Sequence, residues 1–187
     1  MNFKNLIYIF ILVITLASCG TSRRSVQLTE GPEITPAPME VTEREGELEG
    51  SFEEVSKEVY SLGNSISEHA KAFLGTRYKF GGTTDKGMDC SGLVYTAFLM
   101  EDIELPRISR EMSLLGSPLQ LEEVGIGDLL FFETDRRKKT ITHVGLVVGS
   151  DEEDIYFIHS TNSQGVIISS LKQPYWQNAF VLAKRVL

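Results

Sequence analysis

The chain has 187 residues, a length that predicts one folded domain with extensions. Its formal net charge of −8 excludes the basic face that holds nucleic-acid phosphates, so no nucleic-acid partner is expected. The 2 cysteines and 3 histidines argue against a disulfide framework and against a multi-histidine metal cage.

The first residues predict an export signal. Lys4 precedes an apolar run over 6–17, which is shorter than the about 20 residues that cross a membrane and is typical of a signal peptide. Small residues then lead to Cys19, and this arrangement resembles the bacterial lipobox. The resemblance implies that residues 1–18 are removed, that Cys19 carries a lipid anchored in the membrane, and that Gly20 directs the protein to the outer membrane, facing the periplasm. An uncleaved signal anchor is the alternative.

The segment after the cysteine differs in composition from the rest of the chain. Residues 19–50 contain several prolines and an acidic run over 43–49, with few large apolar side chains. Such a segment buries too little apolar surface to offset the entropy cost of ordering, so a disordered tether is predicted. The folded domain is predicted to span 51–187.

Hydrophobic periodicity predicts helices first and strands afterwards. Apolar residues recur at three- and four-residue intervals over 55–74, which indicates one or two amphipathic helices closed by Gly75. A glycine-rich loop follows over 76–89, and a second helix over 90–100 has Asp89 as its N-cap. Five strands are predicted, over 128–133, 141–149, 155–160, 166–170 and 179–186. This order is typical of an α+β fold with an antiparallel sheet.

Cys90 is the candidate nucleophile. It lies outside the apolar stripe of its helix and at the helix start, where the helix dipole favours a thiolate. The preceding glycines allow a substrate to approach the backbone closely. A small buried core residue is the alternative interpretation.

Two histidines on consecutive predicted strands strengthen this hypothesis. A hairpin in which paired residue numbers add to 302 or 303 places His143 opposite His159 on one face, with Cβ atoms about 4.5–5.5 Å apart. One imidazole could then take the proton of Cys90 while the other orients it. A slip of one residue would separate the two rings, and each histidine would then be an ordinary strand residue.

Several short motifs follow one another along residues 65–187. They are Tyr78-Lys79-Phe80-Gly81-Gly82, Asp89-Cys90-Ser91-Gly92, Gly127-Asp128-Leu129-Leu130-Phe131-Phe132, His143-Val144-Gly145 and His159-Ser160. Their order resembles that of the NlpC-type cell-wall cysteine peptidases, which are papain-like endopeptidases of bacterial peptidoglycan. The resemblance implies an α+β, papain-like fold in which N-terminal helices pack on a five- to six-stranded antiparallel sheet.

The same resemblance implies roles for four residues. Cys90 matches the nucleophile, His143 the general base, His159 the orienting residue and Tyr78 the tyrosine that assists the oxyanion site. The implied reaction is hydrolysis of an amide in the peptide stem or crosslink of peptidoglycan, at a D-Glu–diamino acid or D-Ala–diamino acid bond. A monomer that uses no cofactor and no metal is expected.

Three further residues are candidates for substrate contact. Asp89 and Ser91 match positions that, in some members, help to recognise the free amine of a stem peptide. Arg107 could bind a substrate carboxylate through two hydrogen bonds or could form a structural ion pair. The basic loop over 136–139 is interpreted as a solvated turn rather than a binding site for anionic polymers.

Three other functions use the same residues differently. A thiol acyltransferase or amidase would use the same triad, and a zinc site could be built from Cys90, His143 and His159. A wall-binding lipoprotein without enzymatic activity is the third alternative.

Overall fold

The computed structural model describes residues 42–135 and 137–187, with side chains described from Phe52 onward. The predicted signal peptide, Cys19 and most of the predicted tether lie outside the described residues, as does Arg136 of the basic loop. In the described part of the chain, every helix is too short or too polar to cross a membrane.

Four α-helices, one 3-10 helix (Leu121–Glu123) and eight strands are present in the described residues. The helices are α1 (Thr42–Lys71), α2 (Cys90–Leu99), α3 (Ser109–Met112) and α4 (Pro174–Ala179). The strands are β1 (Thr83–Thr84), β2 (Gly87–Met88), β3 (Ser117–Leu119), β4 (Leu129–Phe132), β5 (His143–Ser150), β6 (Ile155–Thr161), β7 (Gly165–Ser170) and β8 (Phe180–Arg185). Strands β1 and β2 form a small hairpin, and the other six form one antiparallel sheet in the order β3-β8-β4-β5-β6-β7.

Both faces of the sheet are covered, which explains why β4 is an unbroken apolar run. Leu129 and Phe131 face a core cluster that includes Leu93 of α2, whereas Leu130 and Phe132 face a second cluster around Trp176 of α4. All four residues of β4 are fully buried. A strand covered on both faces cannot alternate apolar with polar residues, because neither face contacts water.

The α+β prediction is confirmed, and the five predicted strands correspond to β4–β8 with ends that differ by at most two residues. Strand β3 adds the sixth strand at the edge of the sheet. The β1–β2 hairpin lies in the predicted loop over 76–89, and helices α3 and α4 are too short to show a helical period in the sequence.

The prediction of disorder is wrong for residues 42–50, because α1 begins at Thr42. Glutamate is a good helix former, and the acidic run over 43–49 lies at the N-terminal end of α1, where the helix dipole favours negative charge. Helix α1 is one helix rather than two and ends at Lys71, before the predicted glycine. Gly75 closes the following turn with φ of 80°, and its N–H donates to the carbonyl of Val166 at 2.9 Å.

A buried ion pair lies at the start of β4, at the opposite end of that strand from His143. The Arg185 Nε and Nη2 atoms donate to the two carboxylate oxygens of Asp128 at 2.9 and 2.8 Å. Asp128 is 2% exposed, so this pair joins β8 to the turn that precedes β4. Its role is structural. A second arginine–aspartate pair lies at the candidate site.

Candidate active site

Cys90 is the first residue of α2, as predicted, and Asp89 is the N-cap. The backbone of Asp89 is extended, and its Oδ1 accepts a hydrogen bond from the Gly92 N–H at 2.7 Å. A carboxylate that accepts this bond satisfies one of the free N–H groups of the first helical turn. Cys90 is thereby held at a fixed position at the helix start.

The thiol of Cys90 lies against strand β5, beside the residue that follows His143. The backbone of Val144 hydrogen-bonds the thiol and favours its ionised form. Burial disfavours the ionised form and is the larger effect. The negative charge of Asp89 acts in the same direction as burial, so the pKa of Cys90 is raised. Burial and the charge of Asp89 therefore oppose the thiolate that the helix start was expected to favour.

His143 and His159 lie side by side, and His143 directly precedes Val144, whose backbone hydrogen-bonds the Cys90 thiol. The distance between His143 Nε2 and His159 Nδ1 is 2.9 Å, and both side chains are buried. The prediction that the two rings share one face is confirmed, but the predicted register is wrong. Leu146 pairs with Ile158, which places the histidines two residues out of direct opposition. Because side chains alternate with a period of two, an even shift keeps both rings on the same face.

The two rings are surrounded by aromatic side chains. Trp176 stacks on His143 with ring centroids 5.2 Å apart and meets His159 edge-on at 4.5 Å. Phe157 lies 4.7 Å from His159 between ring centroids, and Gly145 makes room for it, since a Cβ there would lie 2.4 Å from the Phe157 ring.

Burial in these surroundings favours the neutral form of both imidazoles. It lowers the pKa of His143 to about 4, although the charge of Asp89 partly opposes the change. Burial also lowers the pKa of His159 to about 3, and the proximity of His143 adds to the effect. Both rings are therefore uncharged at neutral pH.

Ser169 of β7 extends the hydrogen-bonded series by one residue. Its Oγ lies 2.9 Å from His159 Nε2, and the residue is buried. We refer to His143, His159 and Ser169 as the histidine chain. Neither Ser169 nor Trp176 was identified from the sequence; the signals present were the place of Ser169 in a strand and the fact that Trp176 is the single tryptophan.

Tyr78 lies next to the candidate nucleophile, as the resemblance implies. Its backbone forms an isolated parallel bridge with Met88, two residues before Cys90. Burial raises the pKa of Tyr78; proximity to Cys90, which is ionised at the high pH where a tyrosine titrates, and to the Asp89 carboxylate raises it further, while Arg107 opposes them. Tyr78 therefore keeps its phenolic proton and can donate a hydrogen bond.

The two residues that flank Cys90, Asp89 and Ser91, form a hydrogen-bonded group with Arg107 that we call the arginine cluster. Arg107 Nη1 and Nη2 donate to Asp89 Oδ1 and Oδ2, both at 2.9 Å. Nη1 also donates to Ser91 Oγ at 2.9 Å, and Nη2 donates to the carbonyl of Gly82 at 3.1 Å. The structural ion pair, one of the two alternatives for Arg107, is thus present.

Two glycines make this arrangement possible. The Gly81 N–H donates to Asp89 Oδ2 at 2.7 Å from a turn in which Gly81 has φ of 74°, a left-handed conformation that favours glycine. A Cβ on Gly92 would lie 2.0 Å from the carbonyl of Gly82 and 2.8 Å from Arg107 Nη2. Any larger residue at Gly92 would therefore separate the arginine from the catalytic helix.

The zinc alternative has no support in the geometry of the described residues. They contain no group of three His, Cys, Asp or Glu side chains arranged to hold one ion. One nitrogen of His143 and one of His159 face each other, so these two atoms cannot both be ligands of a shared metal.

Known proteins share both the sequence and the fold. The NlpC/P60 family matches residues 75–185. The chain is 36% identical over 137 residues to the murein DD-endopeptidase MepS/murein LD-carboxypeptidase of Escherichia coli, a match that covers 73% of this chain and 69% of that protein. It is 30% identical over 191 residues to a probable endopeptidase NlpC homolog of Haemophilus influenzae, covering 98% of this chain and 99% of that protein.

Solved structures agree with this assignment. The crystal structure of an NlpC/P60 family protein from Bacillus cereus matches with a TM-score of 0.61 and 32% identity. The match covers 67% of this chain and 40% of that one, so the chain corresponds to about two fifths of the longer protein. The matched motifs, the antiparallel sheet and the cysteine at a helix start lead to one conclusion: this chain belongs to the NlpC/P60 family.

Proposed function

We propose that the protein is a cysteine endopeptidase that hydrolyses an amide bond in the peptide part of peptidoglycan. The relatives named as murein and NlpC endopeptidases support the reaction class. Two observations carry the proposal: His143 and His159 are in contact at 2.9 Å, and the backbone of Val144, the residue after His143, hydrogen-bonds the Cys90 thiol. In the proposed reaction these residues supply the nucleophile, the base and the orienting group.

The proton path follows from which nitrogen atoms are engaged. His143 Nε2 faces His159, which leaves Nδ1 as the atom that accepts the proton of Cys90. With its own proton on Nε2, His143 donates to His159 Nδ1, and the proton of His159 then lies on Nε2 and is donated to Ser169. In this arrangement both rings are neutral, as their lowered pKa values require.

The reaction then proceeds in two steps. As the Cys90 sulfur attacks the carbonyl carbon, its proton moves to His143 Nδ1, and the carbonyl oxygen becomes an oxyanion. His143 passes this proton to the leaving amine as the C–N bond breaks, which leaves a thioester on Cys90. Water then loses a proton to the same nitrogen and attacks the thioester, and the proton returns to the sulfur as the acid product leaves.

In the proposed reaction two donors stabilise the oxyanion. The Cys90 N–H lies in the first turn of α2, where an N–H has no partner within the helix. The Tyr78 hydroxyl, which stays protonated, is the second donor.

The finer parts of the proposal concern the bond and the location. The scissile amide is a D-Ala–diamino acid or D-Glu–diamino acid bond, and the enzyme acts as a monomer. It is held by a lipid on Cys19 in the bacterial envelope, at the periplasmic face of the outer membrane.

Mass spectrometry of muropeptides after incubation with the purified full chain tests the function. Wild type should produce a new free amine and a new carboxylate at one type of stem or crosslink bond, and Cys90→Ala should reduce the rate by about 10⁴-fold or more. Transfer of an acyl group to another amine would identify an acyltransferase instead. Unchanged activity of Cys90→Ala, or loss of activity with EDTA but not with iodoacetamide, would contradict the proposal.

A further inference from the structure

A group of exposed basic side chains lies in the loop between β4 and β5. Residues 133–142 contain four basic and two acidic side chains, a net charge of +2 in a chain whose formal net charge is −8. The side chains of Arg137 and Lys138 are 89% and 68% exposed, and Lys139 is exposed as well. We call Lys138 and Lys139 the loop lysines.

Part of the positive charge is balanced within the loop. Asp135 Oδ1 accepts hydrogen bonds from the backbone N–H of Arg137 at 3.1 Å and from its Nε at 3.2 Å. The Lys138 Nζ atom lies 4.0 Å from Asp135 Oδ2, the outer limit of an ion pair. Among the side chains that the structure describes, no carboxylate lies within that distance of Lys139. The loop lysines therefore retain positive charge that a ligand can use.

The loop is fixed at the end of β5 that carries His143. Phe132 and His143 are the last residue pair between β4 and β5, so the loop leaves and rejoins the sheet beside His143. Its base is closed by the N–H of Thr142, which donates to the Phe132 carbonyl at 3.0 Å, and by the N–H of Thr134, which donates to Thr142 Oγ1 at 2.9 Å. The Cα atoms of Lys139 and His143 are at most about 14 Å apart, because four residues of extended chain span no more.

The two ends of β5 carry opposite charge. The turn at the far end, residues 151–154, consists of four acidic residues, whereas the loop lysines belong to the end with His143. With a rise of about 3.4 Å per residue, β5 separates the two turns by about 24 Å. This exceeds twice the Debye length of about 8 Å at physiological ionic strength, so an anionic group close to the loop experiences the lysines with little opposition from the acidic turn.

We propose that the loop lysines bind carboxylates of the peptidoglycan peptide outside the bond that is cleaved. The proposal rests on the peptidase function given above and adds a substrate-binding surface to it. The Cys90 thiol hydrogen-bonds the backbone of Val144, next to His143, and four extended peptide residues span about 14 Å, so a stem held at Cys90 can reach the loop. Lysine ammonium groups act as flexible point charges, so they contribute affinity and attraction of the substrate rather than chemistry.

Removal of the two charges tests this contact. At low ionic strength, Lys138→Gln/Lys139→Gln should raise the KM of the full chain for soluble crosslinked peptidoglycan fragments by about threefold or more and leave kcat unchanged. Lys138→Arg/Lys139→Arg, which keeps both charges, should match wild type. Lys57→Gln/Lys172→Gln removes two exposed lysines elsewhere and is the matched control for net charge.

Two results of these variants would overturn the proposal and leave the peptidase function intact. One is a rise in KM of less than threefold in the Lys138→Gln/Lys139→Gln enzyme. The other is an equal rise in the Lys57→Gln/Lys172→Gln control. Failure of the wild-type chain to cleave any fragment would overturn the peptidase function, and the substrate-binding surface with it.

A modified substrate identifies the anionic group. When the free carboxylates of the fragments are converted to amides, the KM values of wild type and Lys138→Gln/Lys139→Gln should differ by less than threefold, because the lysines then lack an anionic partner. Raising the ionic strength from about 0.01 M to about 1 M shortens the Debye length from about 30 to about 3 Å and should remove the difference on unmodified fragments as well.

A difference of threefold or more that persists on the amidated fragments would overturn the proposal, since the lysines would then act on another group. A difference that is insensitive to salt would also overturn it, because it would show a structural effect of the substitutions. Should the amidated fragments resist cleavage by both enzymes, the salt dependence decides.

Discussion

The histidine chain and the arginine cluster control charge by opposite means. The histidine chain is buried among aromatic rings, and the loss of solvation holds its imidazoles neutral. The arginine cluster contains full charges that are balanced by two parallel hydrogen bonds. Burial thus suits groups that exchange protons in the proposed reaction, whereas a paired arginine and aspartate fix the helix start in position.

The largest expected effect comes from breaking the ion pair of the arginine cluster. Arg107→Met and Arg185→Met each leave a buried carboxylate without its partner, which should lower the free energy of unfolding by about 3 kcal/mol. Only Arg107→Met should also lower kcat/KM of the folded fraction, because only Asp89 caps the helix that carries Cys90. Urea unfolding and active-site titration measure the two quantities separately. An equal loss of specific activity in both variants would show that Arg107 has no greater effect than Arg185 on the helix start that carries Cys90.

Acidification should act on the histidine side. The folded pKa values of His143 and His159 are about 4 and about 3, below the 6.5 of a free imidazole, so the unfolded chain binds more protons as the pH falls below about 6.5. The stability present at neutral pH is therefore lost on acidification, by about 2 kcal/mol between pH 7 and 5.5 for the two rings together.

Urea unfolding at both pH values measures this loss. His159→Asn retains hydrogen-bonding groups but cannot take up a proton. The change in its free energy of unfolding between the two pH values should therefore be about half of that in wild type. A variant with the same pH dependence as wild type would show that the rings are not buried neutral groups.

The smallest effect concerns the outer end of the histidine chain. Ser169→Ala removes the hydrogen bond to His159 Nε2, worth about 0.5–1.5 kcal/mol, and should lower kcat by about twofold to twelvefold with little change in KM. Ser170→Ala, the next residue along β7, bonds Asp154 instead and is the matched control. Ser169→Thr, which keeps the hydroxyl, should retain most of kcat. An unchanged kcat in Ser169→Ala would remove Ser169 from the mechanism.

Local patterns in the sequence were sufficient for much of the fold and for the central residues of the site. Apolar periodicity located α1, α2 and strands β4–β8, and the run around Cys90 identified the helix start and its Asp89 cap. The shared face of His143 and His159 was also predictable, because it depends only on strand parity.

Contacts between distant segments were not predictable in the same way. Arg107 and Asp89 are separated by 18 residues and meet across irregular loops, so no helical or strand periodicity in the sequence indicates their contact. The register between β5 and β6 depends on an irregularity between Val147 and Gly149 that has no clear sequence signal. The effect of burial on the pKa of Cys90 was not predictable either, because a helix start can be recognised in the sequence whereas desolvation depends on the packed structure.

In the proposed mechanism Cys90 is a neutral thiol, His143 is a neutral imidazole, and the proton leaves the sulfur only as Cys90 attacks the substrate. The ultraviolet absorbance of the thiolate, measured as the difference between wild type and Cys90→Ser across a pH titration, reports this proton. We expect almost no thiolate signal at pH 7 and a rise only above the ordinary thiol pKa of about 8.5, because burial raises the pKa of Cys90. A full thiolate signal already present at about pH 6, as in a preformed thiolate–imidazolium pair, would show that this mechanism is wrong.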